Sequence, residues 1–278
     1  MASSFSLDGV SAVITGASAG LGVEFSRQLA LRARCLVLVA RREDALQTVR
    51  EELLLLNPNL EILICPADVS APAGRQRVAH TIAESQTAVN LLINNAGLGD
   101  YGAFESAEPA RIQEQIDVNI TGLVQLTHDL LPILRQNQPA GILNVSSLAG
   151  VLPLPEMAIY AATKAFVTSF SEALRIELLD EGIRVAAVCP GPTPTTFGKN
   201  ARRLGGQDTD RSGQGFLKQP IDRVVASALA ALECGMATVY PGWGGTLAAI
   251  LFQSLPRWLM RMILTRRFRT ARRTASHS

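Results

Sequence analysis

The sequence predicts an α/β fold, a doubly wound parallel sheet of about seven strands with helices on both faces. Three observations predict it: short runs rich in β-branched residues and leucine recur along the chain, longer segments with helical spacing separate them, and a glycine-rich turn follows the first run directly. Apolar runs without polar alternation mark strands buried on both faces, which is what a parallel sheet covered by helices requires.

The strands expected, in order, are "SAVIT" at 11–15, "CLVLV" at 35–39, "EILIC" at 61–65, "NLLIN" at 90–94, "GILNVS" at 141–146, "IRVAAV" at 183–188 and "ATVYP" at 237–241. Helical spacing covers Val23 to Ala33, Glu43 to Leu56, Ala73 to Glu84 and Ala158 to Asp180. Such alternation joins parallel neighbours through helical crossovers. No linker composition or internal repeat interrupts it, so residues 1–278 read as a single domain, with 242–278 an apolar and then Arg-rich extension. "GKNARRLGGQDTDRSGQG" at 198–215 is polar and glycine-rich, and reads as a mobile surface segment able to close over a ligand.

Composition narrows the function classes. A 47% hydrophobic share suits a globular core. Cys35, Cys65, Cys189 and Cys234 stand far apart beside apolar runs and read as buried thiols in a reducing compartment. None of His80, His128 and His277 has a partner at metal-ligand spacing, so no catalytic metal is expected. The N-terminus lacks a basic segment followed by a long apolar core, and a cytoplasmic location is expected. Net charge is +2, yet Arg257 to Ser278 holds seven arginines and no acid, leaving 19 basic and 24 acidic groups elsewhere.

"TGASAGLG" at 15–22 follows the first strand and opens a helix, with glycines at 16, 20 and 22. Such glycines permit a tight turn and close backbone approach, so that a pyrophosphate can sit on the N–H groups of the helix N-terminus. An ordinary strand-to-helix turn uses glycine too, so the context decides. At the end of the second strand, Ala40, Arg41 and Arg42 stand where an acidic residue would accept bonds from ribose hydroxyls. Guanidinium groups suit a 2′-phosphate, which favours NADP(H) over NAD(H); a solvated arginine pair at a helix start is the plain alternative. Asp68, after the third strand, is placed either to bind an adenine amino group or to cap the next helix.

"YAATK" puts Tyr160 and Lys164 one helical turn apart on one face. A phenol with a pKa of about 10 is a poor base at neutral pH, and a nearby ammonium is expected to bring it toward the range useful for proton transfer. Ser147, just after the fifth strand, lies at the carboxyl edge where ligands of such sheets bind, and its hydroxyl can hold a reacting carbonyl oxygen. Taken singly, each has a structural reading: Asn119 as a cap, Ser147 as a turn residue, Tyr160 as a half-buried aromatic.

Together with "NNAG" at 94–97, Asn119 in "VNITG", "SS" at 146–147 and "PGPTPT" at 190–195, these motifs resemble the single-domain branch of the short-chain dehydrogenase/reductase family, in its order and spacing from residue 11 to about 235. The resemblance implies a Rossmann-like fold and a catalytic tetrad of Asn119, Ser147, Tyr160 and Lys164. Tyr160 would donate the proton to the carbonyl oxygen, Ser147 would orient that oxygen, and Lys164 would tune the phenol and bind ribose. Asn119 would hold a water in a proton relay. It implies a cofactor site of Gly16, Ser18, Gly20, Leu21, Gly22, Arg41, Arg42, Asp68, Val69, Asn95, Ala96, Gly97, Asn119, Tyr160, Lys164, Pro190, Gly191, Thr193 and Thr195, with Asn94 in its scaffold. Ser147 is preferred to Ser146 because its distance to the tyrosine matches the family.

The expected function is that of an NADP(H)-dependent carbonyl reductase or alcohol dehydrogenase acting on a hydrophobic ketone or secondary alcohol, steroid-like, 3-oxoacyl or polyketide-like. A homodimer or homotetramer through long helices is implied by the resemblance. The alternatives are a cofactor-binding regulator or scaffold without turnover, and a membrane-peripheral lipid reductase. Trp243, Leu247, Ile250, Leu251, Leu255, Trp258, Leu259, Met262 and Ile263 give the extension a large apolar area. It can wall a substrate cleft, pack on another subunit, touch a membrane surface, or end as a solvated tail. Nucleic acid is not an expected partner, because aromatic residues do not interleave the arginines and the core is acidic.

Overall fold

The computed structural model describes residues 5–194, 197–198, 201 and 218–275. The strands among them are β1 (Ser11–Thr15), β2 (Cys35–Ala40), β3 (Glu61–Pro66), β4 (Leu91–Asn94), β5 (Ala140–Val145), β6 (Ile183–Val188) and β7 (Thr238–Val239). They form one seven-stranded sheet in the order β3-β2-β1-β4-β5-β6-β7, and every neighbouring pair is parallel. The sheet is the doubly wound α/β arrangement expected, with the Rossmann-like reversal of strand order beside β1.

Its helices are α1 (Gly20–Ala30), α2 (Glu43–Leu56), α3 (Pro72–Ser85), α4 (Pro109–Ile116), α5 (Leu123–Gln136), α6 (Ala158–Glu177), α7 (Ile221–Glu233), α8 (Trp243–Ser254) and α9 (Arg257–Ala275). A π-helical turn, Asp117–Gly122, joins α4 to α5. Successive strand residues point to opposite faces, so one strand feeds two cores. In β1, Ala12 and Ile14 pack with Phe25 and Leu29 of α1, Leu46 and Leu53 of α2, and Leu229 and Leu232 of α7. Val13, between them, packs on the other face with Val78 and Ile82 of α3 and Leu126, Leu130 and Leu134 of α5.

Several boundaries differ from the periodicity. Helix α1 is bounded at Gly20 rather than Val23, so Gly22 already lies in its first turn. Strand β7 is confined to Thr238–Val239, a half-buried edge strand paired with β6 alone. Of the four cysteines, Cys35, Cys65 and Cys189 are buried, but Cys234 is exposed, contrary to expectation. It follows the last apolar turn of α7 as its C-cap and stands beyond the buried face.

The strand order reverses between β1 and β4, the position beyond whose carboxyl ends ligands of such sheets bind. Gly16 follows β1, Asn95 follows β4, Ser147 follows β5 by one residue and Pro190 follows β6 by one residue. The topology thus brings residues far apart in sequence to one sheet edge.

Candidate active site

The glycine turn is shaped for close approach. Gly16 and Gly20 have φ of +66° and +56°, in the left-handed region that side chains disfavour. A Cβ on Gly22 would lie 2.1 Å from the Gly16 carbonyl oxygen, so α1 can pack this tightly on the turn only with glycine there. The N-terminus of α1 has Ala19 as its cap residue and no side-chain cap, which leaves the start of the helix open to an anion. Ser18 and Leu21 flank this opening in the same turn.

Asn95 and Thr15 lock that turn to β4. The Thr15 hydroxyl accepts bonds from the N–H groups of Asn95 (2.9 Å) and Ala96 (3.0 Å). The Asn95 amide donates to the Thr15 carbonyl at 2.8 Å. Asn94 points elsewhere: its amide donates at 2.9 Å to both Thr127 of α5 and Asn144 of β5, and Asn144 donates to Ser171 of α6. Asn94 is therefore a strap between the sheet and its helices. It supports the site from behind.

Where the sequence reading expects the adenosine, Arg41 and Arg42 are both exposed at the start of α2. Arg41 reaches across to Glu114 at 3.3 Å, and Glu114 also holds Arg111 at 2.7 Å. The Asp68 carboxylate accepts from the Ser70 N–H (2.9 Å) and hydroxyl (2.6 Å), so it shapes the turn before α3. It does not cap α3 itself, whose cap residue is Ala71. Val69 is buried, and its carbonyl accepts from the buried guanidinium of Arg75 at 2.9 Å.

Helix α6 carries the candidate reacting groups on its buried face. Tyr160, Lys164, Val167 and Ser171 are spaced as one stripe, and all four are buried. A purely structural helix would fill such a stripe with aliphatic residues. The Lys164 ammonium donates to the Val145 carbonyl at 2.8 Å and stands 5.8 Å from the centre of the Tyr160 ring. The Ser147 hydroxyl lies close enough to the phenol to pull its pKa down. Ser146 turns the other way, its hydroxyl bonded to the Lys164 carbonyl (2.8 Å) and Thr168 (2.7 Å). Of the adjacent serines, it is Ser147 that faces the phenol.

Asn119 sits in the π-helical turn, a distortion that frequently marks functional positions. Its amide nitrogen donates to the Leu98 carbonyl (2.9 Å) and Thr163 hydroxyl (3.0 Å), and its oxygen accepts from the Leu98 N–H (2.7 Å). Both donors are engaged, leaving one acceptor position on Oδ1. A Cβ on Gly97 would lie 3.4 Å from both that oxygen and the Lys164 ammonium, so Gly97 leaves the space between them clear. Pro190 is held beside Ser147 by the Leu148 N–H on its carbonyl (2.9 Å), and the Thr193 hydroxyl bonds the Gly191 carbonyl (3.1 Å). Thr195 and nearly all of 198–215 lie outside the described residues.

Burial dominates the electrostatics. It pushes the Tyr160 phenol up to about 12, with the Ser147 hydroxyl pulling partway back. It pushes the Lys164 ammonium down to about 8. The expectation that Lys164 brings the phenol toward neutrality is thus overturned: desolvation of the phenolate outweighs an ammonium directed at Val145. Such a phenol stays protonated at neutral pH and is suited to donate.

Sequence reasoning missed Thr15, Thr163, Arg75, Glu114 and Phe197. Phe197 packs against the Tyr160 ring with centroids 5.6 Å apart, and forms an apolar wall beside the phenol. Thr163 precedes Lys164 within the quoted motif, and its burial on a helix of small residues is a signal that spacing alone did not use. The residues present fit a dinucleotide: an uncapped helix start, a glycine cradle that a Cβ would fill, and arginines at the adenosine end.

The family model for short chain dehydrogenases matches residues 11–204. A sulfoacetaldehyde reductase of Chromohalobacter salexigens is 37% identical over 186 residues, 66% of this chain and 72% of that protein. An 11-beta-hydroxysteroid dehydrogenase B of Arachis hypogaea is 31% identical over 265 residues, 93% of this chain and 74% of that protein. Among solved structures, a short-chain dehydrogenase from Sphingobium yanoikuyae in complex with NADPH superposes with a TM-score of 0.74 at 28% identity, covering 89% of this chain and 97% of that one. A short chain dehydrogenase/reductase from Burkholderia phymatum in complex with NAD does so with a TM-score of 0.77 at 27% identity, covering 90% and 93%.

Proposed function

The chain belongs to the short-chain dehydrogenase/reductase family, and we propose that it is an NADP(H)-dependent member that interconverts a hydrophobic ketone and its secondary alcohol. As a family member it is an oxidoreductase working between carbonyl and CH–OH groups with a nicotinamide cofactor. The observation that carries the reading is the buried stripe of α6, where a protonated Tyr160 faces Ser147 with the Lys164 ammonium one turn away.

The nicotinamide, when bound, supplies or accepts the hydride. Tyr160 donates its phenolic proton to the carbonyl oxygen, and Ser147 hydrogen-bonds that oxygen as charge develops on it. The Lys164 ammonium stabilises the phenolate left behind. The free acceptor position on Asn119 Oδ1, facing the same space as Lys164, supports a relay that returns the proton. Gly16 to Gly22 and the start of α1 take the pyrophosphate. Phe197 at the phenol and the apolar packing of Leu148 and Val151 with α8 support a hydrophobic substrate. Oxidation of NADPH against ketones graded in size tests the reading; absence of turnover with all of them, despite cofactor binding, favours the regulator.

Preference for NADP(H) rests on Arg41 and Arg42. Each charge-assisted contact to a 2′-phosphate contributes on the order of 1.5–3 kcal/mol, so Arg41→Ala with Arg42→Ala should weaken NADPH far more than NADH. In the structure Glu114 holds Arg41, and its carboxylate would compete with a phosphate. Glu114→Gln should therefore tighten NADPH and leave NADH nearly unchanged, read by titrating cofactor fluorescence. Equal effects on both cofactors would sink the phosphate assignment.

The stacked Phe166 and Phe170, with the exposed Ile176, support a homo-oligomer built on α6. Three buried, unbridged cysteines support residence in the reducing cytoplasm.

A further inference from the structure

Helix α8 reverses the usual arrangement of a water-facing helix. It buries Gly244, Gly245, Ala248 and Ala249, and turns Trp243, Leu247, Ile250 and Leu251 outward. Those four lie at spacings of four, seven and eight residues from Trp243, which makes one apolar face. Trp243 is 75% exposed, and Leu247, Ile250 and Leu251 are 54–58% exposed. At Leu255 the chain turns, and α9 adds exposed Trp258, Met262 and Ile263. Arg257, Arg261, Arg266 and Arg269 interleave with them, all exposed and, among the described ion pairs, without a carboxylate. From Cys234 to Ser278 the sequence contains no acidic residue.

We propose that α8 and α9 dock the protein on the surface of an anionic lipid bilayer. Tryptophan and aliphatic residues enter the interface while the arginines meet lipid phosphates. A second copy of the chain is the competing occupant, and charge decides against it. A two-fold contact would set this patch against itself and desolvate arginines facing arginines, with no carboxylate on either side. Among the described residues no single helix is long and apolar enough to cross a membrane; α8 and α9 meet that test only together, bent by 115°. The bend suits helices lying along a surface.

Docking would bring the catalytic rim to the lipid. Ala248 and Ala249 of α8 pack on Leu148, next to Ser147. An open cavity of about 600 Å³ separates α9 from the Pro153 and Pro155 rim and is edged by Arg261, Leu264, Phe268 and Arg269. That a ketone arrives from the bilayer rests on the proposed reductase function; the docking itself does not.

Trp243 and Trp258 are the chain's two tryptophans, so emission excited selectively in tryptophan reads this surface alone. Phosphatidylcholine vesicles containing a minor fraction of phosphatidylglycerol should shift the emission to the blue and sediment the protein, and salt should reverse both. Arg257→Gln with Arg261→Gln should lower partitioning by roughly thirtyfold, at about 1 kcal/mol for each arginine near an anionic surface. Leu247→Ser with Ile250→Ser should lower it as well, while NADPH-induced thermal stabilisation shows that both variants are folded. Tyr160→Phe should bind vesicles like the wild type, which separates loss of chemistry from loss of docking. No blue shift and no sedimentation would overturn the proposal. A shift that needs no lipid and tracks protein concentration would overturn it in favour of a subunit interface.

Discussion

Tyr160→Phe is expected to lower ketone turnover by roughly 10²- to 10⁴-fold while leaving NADPH-induced thermal stabilisation in place. The substitution removes one oxygen and keeps the ring that packs against Phe197 at 5.6 Å. Ser147 keeps the bond its oxygen accepts from the Ala149 N–H at 3.1 Å, so no buried polar group is stranded. Fold and cofactor site should therefore survive, and the lost turnover reports the proton alone. Because burial holds the phenol at about 12, the donor remains protonated across the neutral range. Ionisation of Tyr160 should then impose no fall in reductive rate below about pH 10. Stopped-flow or steady-state oxidation of NADPH by both proteins reads the comparison. Turnover unchanged in the variant would remove Tyr160 from the chemistry, and a cellular role untouched by the variant would support the regulator.

What the sequence makes legible in this site is what spacing encodes. The glycine turn after β1 and the four-residue step from Tyr160 to Lys164 are local, and local geometry places them without knowledge of the rest. Strands were readable because each is apolar on both faces, and β7 was overextended because an edge strand has no second neighbour to enforce its length. Contacts made between distant segments were not readable. Glu114 meets Arg41 across 73 residues, and Phe197 packs on the Tyr160 ring from beyond the sixth strand. Nor does apolar periodicity say which face of a helix turns inward. In α8 the small residues pack on Leu148 and the large ones are left outside, a choice made by the space available beside the catalytic rim. The misjudged phenol has the same origin: proximity of Lys164 was legible, whereas the burial that outweighs it belongs to the folded chain.

That burial also makes Lys164 a source of pH-dependent stability, and Lys164→Met should abolish it. The ammonium, ordinarily at 10.5, is pushed down to about 8 by desolvation. Below pH 8 both folded and unfolded chains hold the proton, and the folded state bears the cost of a buried charge. Between about pH 8 and 10.5 the unfolded chain binds a proton that the folded chain has released, so this group makes stability rise with pH. At 1.36 kcal/mol for each pH unit, the gain from pH 7 to 10 is about 2–3 kcal/mol. Methionine fills similar space without a charge and carries no such slope. The buried Cys35, Cys65 and Cys189 thiols, pushed up by burial, lose stability as pH rises past their ordinary 9.0, and Tyr160 acts likewise above 10. Those of Cys35, Cys65 and Tyr160 are shared by wild type and variant, whereas Cys189 interacts with the Lys164 charge, so the difference between the two reads Lys164 together with that one coupling. The variant also loses the bond to the Val145 carbonyl, which offsets part of its advantage at pH 7 but does not alter the slope. Urea unfolding of both proteins from pH 7 to 10 measures it: the variant's stability relative to wild type should fall by about 2–3 kcal/mol across that range. A constant difference would mean that Lys164 keeps an ordinary ammonium in the fold, and the charge beside Tyr160 would then persist well above pH 8.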